Sequence, residues 1–251
     1  MVSTKPADWL TAAWEAFSLT IPPLTNIEWM DTCRLIPARY SMVGIFDQVA
    51  KQEDLELILQ LESWTNDRVR TEFGNLHRIP KSEWVSGKPF SSVVMGSFCH
   101  ASPLGGRFNS RDRGAWYAAR TLETALAEIA YHRTKDLLEV HVTEAVVQMR
   151  LFQSDFSGEV HDARPLVPEN EPIHNSQSYV ASQTLAVELL ADRANGIIYR
   201  SVRYPGGECL ACFRPKMVEN VRAGHFYEFR WEGFPVPKIR PIRASHAGLA
   251  T

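Results

Sequence analysis

Four stretches of the chain repeat apolar residues at three- and four-residue spacing, the period of a helix buried along one face. Residues 8–17 place Trp9, Leu10, Ala13, Trp14 and Phe17 on one side and end before Pro22-Pro23. Residues 46–72 carry Val49, Leu55, Ile58, Leu59, Leu61 and Val69 between charges, which predicts one helix or a broken pair. After Thr121, a plausible N-cap, Leu122, Ala125, Leu126 and Ile129 make a core stripe. A fourth helix is predicted over residues 176–195, with Val180, Leu185, Leu189 and Leu190 apolar and Asn195-Gly196 as its stop.

Between these stretches the pattern is that of strands. Residues 31–40 read as a strand running into a turn at Pro37, residues 91–99 (SSVVMGSFC) are rich in strand formers, and Arg107 sits on a short strand ahead of a second one at Trp116-Tyr117. Residues 137–152 contain an alternating strand and a second apolar run. Residues 196–213 read as strand, Pro-Gly-Gly turn and strand, a β-hairpin. Two more short strands follow at 225–232 and 236–242. Residues 74–90 are loop-like, residues 153–175 a polar connection over the surface, and residues 244–251 a loose tail. No repeat or linker divides the chain, so one domain over residues 1–251 is expected, with its core at about 34–241 and a helical extension and insert within residues 1–100. The element order is α+β rather than alternating βαβ. No GxGxxG follows a strand and no GxxxxGK[ST] occurs, so Rossmann and Walker nucleotide sites find no support.

Composition narrows the picture little: 251 residues, 45% hydrophobic and 22% charged, describe an ordinary globular chain. A net charge of −2 and the lack of a Lys/Arg run argue against direct nucleic-acid binding. The first residues lack a signal-peptide pattern and no apolar run approaches ~20 residues, so a cytoplasmic protein without a membrane span is expected. Cys209 and Cys212 form a CxxC without a second pair. Three positions apart in a strand face opposite sides, which favours core packing over a metal site.

Chemistry concentrates in residues 104–133, LGGRFNSRDRGAWYAARTLETALAEIAYHR. Gly105 and Gly106 allow a sharp turn or a close ligand approach. Glu128 falls on a helical line with Thr121, Thr124 and Tyr131, beside the apolar stripe rather than in it, so its carboxylate can face a cleft. An arginine that grips phosphate, an aromatic that stacks on a cationic ring and a carboxylate that steadies a positive sugar fit NAD+. The same residues also fit a surface arginine, a core tyrosine and a solvated glutamate.

With GGRFN at 105–109, WYAA at 116–119, ETALAE at 123–128 and YRSVRYPGGECLACF at 199–213 in this order, the chain resembles the RES-domain family, the toxins of bacterial RES–Xre toxin–antitoxin pairs. The arginine, glutamate and serine that name the family fall on Arg107, Glu128 and Ser201, and its active-site tyrosine on Tyr117. Arg34 or Arg39 matches an early family arginine. Residues 46–100 are longer than the shortest family members need. The resemblance implies an ADP-ribosyltransferase-like fold, a split, mostly antiparallel sheet with flanking helices and an NAD+ cleft between its halves. It implies breakdown of NAD+ at the nicotinamide–ribose bond by hydrolysis or phosphorolysis, with NAD+ as substrate, inorganic phosphate as the co-substrate of the second route, and no cofactor or metal. Glu128, Arg107, Tyr117 and Ser201 are the expected catalytic set, and Arg34, Arg39, Tyr40, Trp116 and Tyr131 the expected substrate contacts. The alternatives are transfer of ADP-ribose to a cellular protein and a non-catalytic NAD-binding module. The resemblance also implies an Xre-type helix-turn-helix antitoxin that blocks the cleft and binds DNA itself, with the toxin as a homodimer or in a larger hetero-oligomer.

Overall fold

The computed structural model describes residues 20–38, 45–48, 57, 75–165, 171–233 and 235–243. The helix predicted at 8–17, most of the one at 46–72, Arg39, Tyr40 and the tail after 243 lie outside the described residues. Among the described residues seven strands form one sheet: β1 (Leu24–Pro37), β2 (Trp116–Ala119), β3 (Glu144–Asp162), β4 (Gly196–Arg200), β5 (Glu208–Cys212), β6 (Glu219–Glu232) and β7 (Lys238–Ile242). Three helices of nine residues or more flank it among the described residues: α1 (Ser91–Cys99), α2 (Leu122–Glu139) and α3 (Val180–Ala191).

The strand order is β1-β2-β5-β4-β3-β6-β7, with β1 also paired along β3. Every pairing is antiparallel except β3 with β4. The sheet is split. β2, β5 and β4 make one half, and β1, β3, β6 and β7 the other. The halves meet at two narrow seams: Cys33 opposite Ala119, and His161-Asp162 beside Ile197-Ile198. Arg34 bridges the first seam, its Nη1 donating to the Tyr117 carbonyl at 2.9 Å and its guanidinium lying 4.8 Å from the Trp116 ring centroid.

Strand alternation sorts side chains into two cores. Trp116, Ala118, Ile198, Leu210 and Cys212 face α1 together with Phe46, Leu76, Ile79 and Trp84. Ala119, Ile197, Tyr199, Cys209 and Ala211 face the other way, with Ala125 of α2, Leu185 and Leu189 of α3, and Phe108. Cys209 and Cys212 therefore lie in opposite cores. All four cysteines are buried and none is in a disulfide. Burial pushes the Cys33 thiol up to about 11 and Cys212 up to about 12, so these thiols stay protonated at neutral pH. Among the described residues no group of three or more His, Cys, Asp or Glu could hold a metal ion, and no helix is long and apolar enough to cross a membrane.

The structure corrects four expectations. Residues 91–99 are helical: Ser91, Val94, Met95, Phe98 and Cys99 are buried at helical spacing, and packing overrides the strand preference of Val93-Val94. β3 runs on to Asp162, through much of the predicted surface connection. Its polar residues are buried because they have partners: the Ser154 hydroxyl lies 3.1 Å from Thr32 Oγ1, which also donates to the Ser154 carbonyl at 2.6 Å, and Asp155 accepts from Asp31 N and is paired with Arg222. Residues 137–139 close α2 rather than opening a strand. Arg107 lies in a turn closed by a single bridge between Gly106 and Asn109, not on a strand.

Trp116 is fully buried, and its Nε1 has no hydrogen-bond partner. Trp116→Ala should lower the unfolding free energy by about 3–5 kcal/mol. Trp116→Phe, which removes the unpartnered donor and keeps an aromatic ring, should cost distinctly less. Urea titrations of the two variants against the parent check both values.

Candidate functional site

α2 starts where Thr121, in extended conformation, caps it by accepting from Thr124 N at 3.3 Å. Leu122, Ala125, Leu126 and Ile129 pack into the second core, as their spacing predicts. Glu128 is left at the edge of that face, its side chain 23% exposed.

Ser201 arrives from the other direction, immediately after β4. The turn that follows is closed by Ser201 N donating to Gly207 O at 2.8 Å and Gly207 N to Tyr204 O at 2.9 Å. It is pressed against the first turn of α2: a Cβ on Gly207 would meet Thr124 Oγ1 at 2.7 Å. This contact brings Ser201 Oγ to Glu128 Oε1, to which it donates at 2.5 Å. The same oxygen accepts from Arg203 N at 3.1 Å and Tyr204 N at 3.0 Å. A hydroxyl so occupied is a clamp on the carboxylate.

Tyr117 holds the GGRFN turn. Phe108 N donates to its hydroxyl at 2.8 Å, and the hydroxyl donates to Asn109 Oδ1 at 2.8 Å. Gly106 makes room, since a Cβ there would sit 2.6 Å from the Tyr117 hydroxyl oxygen. Burial raises the pKa of Tyr117, with Arg107 and Arg34 pulling the other way, so the phenol is neutral. Arg107, 7% exposed, donates through Nη1 to the carbonyls of Ile173 and Asn175, both at 2.9 Å, and lies 4.7 Å from the Tyr179 ring centroid.

The charges bind these pieces into one neighbourhood. Glu128 and Arg107 both act on the buried Tyr199 hydroxyl and the Cys209 thiol, each raised first of all by burial. His132 Nε2 lies 3.8 Å from Glu128 Oε2. Its pKa is lowered by burial and then by Arg203, with a smaller push from Arg107, so the imidazole is neutral at pH 7.

The structure thus brings Glu128, Ser201, Arg107, Tyr117 and Tyr131 together. Tyr131 is covered on one face by Arg203, whose guanidinium stands 3.3 Å from the ring centroid. Arg34 reaches the seam beside Tyr117; burial lowers its pKa to about 10, and it stays charged at neutral pH. Trp116 is corrected: with no exposed surface it packs the core and cannot touch a substrate. Sequence reasoning missed Arg203, Asn109 and Tyr179. Arg203 and Asn109 stand inside the quoted motifs, whereas nothing local marks Tyr179.

Comparison with known proteins places the chain. Residues 75–232 match the RES domain, more than half of the chain, and the protein belongs to the RES domain family. An uncharacterised protein, y4oC, of Sinorhizobium fredii (strain NBRC 101917 / NGR234) is 25% identical over 203 residues, covering 80% of this chain and 82% of its own. A chain of the M. tuberculosis MbcT–MbcA toxin–antitoxin complex is similar in structure, with a TM-score of 0.41 and 14% identity over 80% of this chain and 85% of the other.

Ser201→Ala removes one donor to a carboxylate and strands two backbone N–H groups. It should lower the unfolding free energy by roughly 1–3 kcal/mol. Urea denaturation at pH 7 measures the loss, and an unchanged midpoint would mean the clamp carries no stability.

Proposed function

We propose that this RES-domain chain is a toxin that consumes NAD+ by cleaving the bond between nicotinamide and ribose. One observation carries the reading: a carboxylate, Glu128, clamped by Ser201 at 2.5 Å and partly open to solvent, in a neighbourhood whose arginines, Arg107 and Arg203, supply the positive charge.

Nicotinamide departs with the electron pair of its C–N bond, and the cationic ring becomes neutral. The ribose is left as an oxocarbenium-like cation. Catalysis then consists of holding the pieces and opposing that charge. Glu128 stands against the sugar, and Ser201 fixes its direction. Tyr117 offers its ring, because its hydroxyl is engaged by Phe108 and Asn109. Arg107 turns its remaining guanidinium nitrogens to phosphate oxygen. The cation is captured by water, which loses a proton and gives ADP-ribose, or by phosphate, which gives the sugar phosphate. A side chain of another protein could enter at the same carbon, so products rather than residues separate glycohydrolase, phosphorylase and transferase.

Glu128→Gln should cost about 3–4 kcal/mol of transition-state stabilisation, a fall in kcat of roughly 10²–10³. NAD+ consumption with and without phosphate, with products identified by mass spectrometry, tests this alongside circular dichroism of the variant. Near-parental turnover in the Gln variant would remove Glu128 from the chemistry.

A cell cannot carry such an enzyme unrestrained, so the reading includes an antitoxin of the helix-turn-helix class that blocks the cleft. With a net charge of −2 on this chain, DNA contact falls to that partner. The simplest block is an anionic group, such as a terminal carboxylate, on the arginines of the site. Partner and NAD+ should then compete. Calorimetric titration of the antitoxin at rising concentrations of a non-hydrolysable NAD+ analogue checks it; affinity constant through saturation means inhibition acts from elsewhere.

A further inference from the structure

We infer that Arg203 is a second anion-binding residue of the site, which with Arg107 takes the two phosphates of a dinucleotide. The inference rests on the reading of the protein as one that binds NAD+. Arg203 follows the clamp serine by two residues, and its backbone N–H donates to the Ser201 Oγ that holds Glu128. It is therefore positioned by the same turn as the carboxylate. Its guanidinium lies flat on Tyr131, and its Nη2 donates to the Ser176 carbonyl at 2.5 Å.

Arg107 is held in the same manner from a separate turn. It lies over Tyr179 and donates to the carbonyls of Ile173 and Asn175. Two arginines from separate turns thus converge on the carbonyls of one short segment, 173–176, each backed by a tyrosine ring. Both charges act on His132, next to Glu128, and depress its protonation. Carbonyl oxygens there stand where an anion is favoured.

Those carbonyls leave the Arg203 fork incompletely used. A guanidinium has five N–H donors, and the Arg203 Nε is buried with no partner. A buried charged donor without an acceptor is costly, and a phosphate oxygen is the acceptor whose geometry matches the fork. The diphosphate of NAD+ would bring oxygens to both arginines at once while its nicotinamide ribose meets Glu128. Arg203 would in this way favour dinucleotides over unphosphorylated nicotinamide riboside.

The test uses the full chain with Arg203→Gln and Arg203→Lys. The Gln variant should raise KM for NAD+ about tenfold or more, the scale of one charged hydrogen bond, with kcat changed much less. Turnover of nicotinamide riboside, which carries no phosphate, should fall far less than that of NAD+, so that the preference for NAD+ collapses. The Lys variant, which keeps the charge without the fork, should fall between. An arginine that merely latched the fold would impair both substrates alike, and that result overturns the proposal. Calorimetry with ADP-ribose provides an arm independent of turnover. Loss of ADP-ribose affinity in Arg203→Gln supports the anion site even if the parent protein fails to cleave NAD+, in which case the catalytic reading falls alone. Unchanged ADP-ribose affinity, or no binding by the parent, overturns the proposal whatever the activity of Glu128→Gln. If circular dichroism shows Arg203→Gln unfolded, the Lys variant decides on the same two readouts.

Discussion

A half-sheet buried on both faces is the constraint from which the rest of this structure follows. β2, β5 and β4 are sandwiched between two apolar cores, so their alternating side chains have no solvated face on which to carry polar chemistry. Polar groups are displaced to where these strands end or to the elements that cover them. Ser201 stands one residue beyond β4, Glu128 on the rim of α2, and Arg107 in the turn ahead of β2. Tyr117, within β2, keeps its polar atom by reaching out of the sheet to Asn109 and Phe108. The narrow seams have the same origin. Where β1 meets β2 through one residue pair, backbone groups need other partners, and Arg34 supplies one to the Tyr117 carbonyl.

What could be read from the sequence was what is decided locally. Thr121, the Leu122–Ile129 stripe and the edge position of Glu128 depend on helical period alone, and the structure has them so. The hairpin around Pro205-Gly206-Gly207 and the opposed cysteines of CLAC are equally local. What escaped was what depends on distant partners. Ser154 and Asp155 look like loop residues until Thr32, Asp31 and Arg222 are set beside them, more than sixty residues away in the chain. Val93-Val94 look like a strand until Trp116 and Trp84 offer a surface for a helix. For the site, motif order pointed to the residues, but no spacing rule could pair Ser201 with Glu128 across seventy-three positions.

The same distinction separates Trp116 from Tyr117 and takes Arg107 off the strand expected for it. In a strand, neighbours point to opposite faces: Tyr117 goes to the site and Trp116 to the opposite core. Arg107 escapes the strand altogether, because the Gly106–Asn109 bridge folds the chain back and turns its guanidinium to the 173–175 carbonyls.

The site is assembled from four segments that touch no common stretch of sequence: the 105–109 turn, α2, the turn after β4 and residues 173–179. Each is fixed by at least one bond to another. Ser201 ties the turn to α2, Arg203 ties it to Ser176, Arg107 ties the first turn to Ile173 and Asn175, and Gln183 of α3 donates to the Leu104 and Gly106 carbonyls. Several of these bonds join a side chain to a backbone carbonyl, which cannot be mutated away. Losing one arginine therefore leaves an acceptor in place for water or a neighbouring donor, while losing Ser201 strands two backbone donors together with the carboxylate. That asymmetry makes Ser201 the joint on which stability and the direction of the carboxylate depend together, and leaves the arginines freer to exchange carbonyl oxygen for another anionic partner.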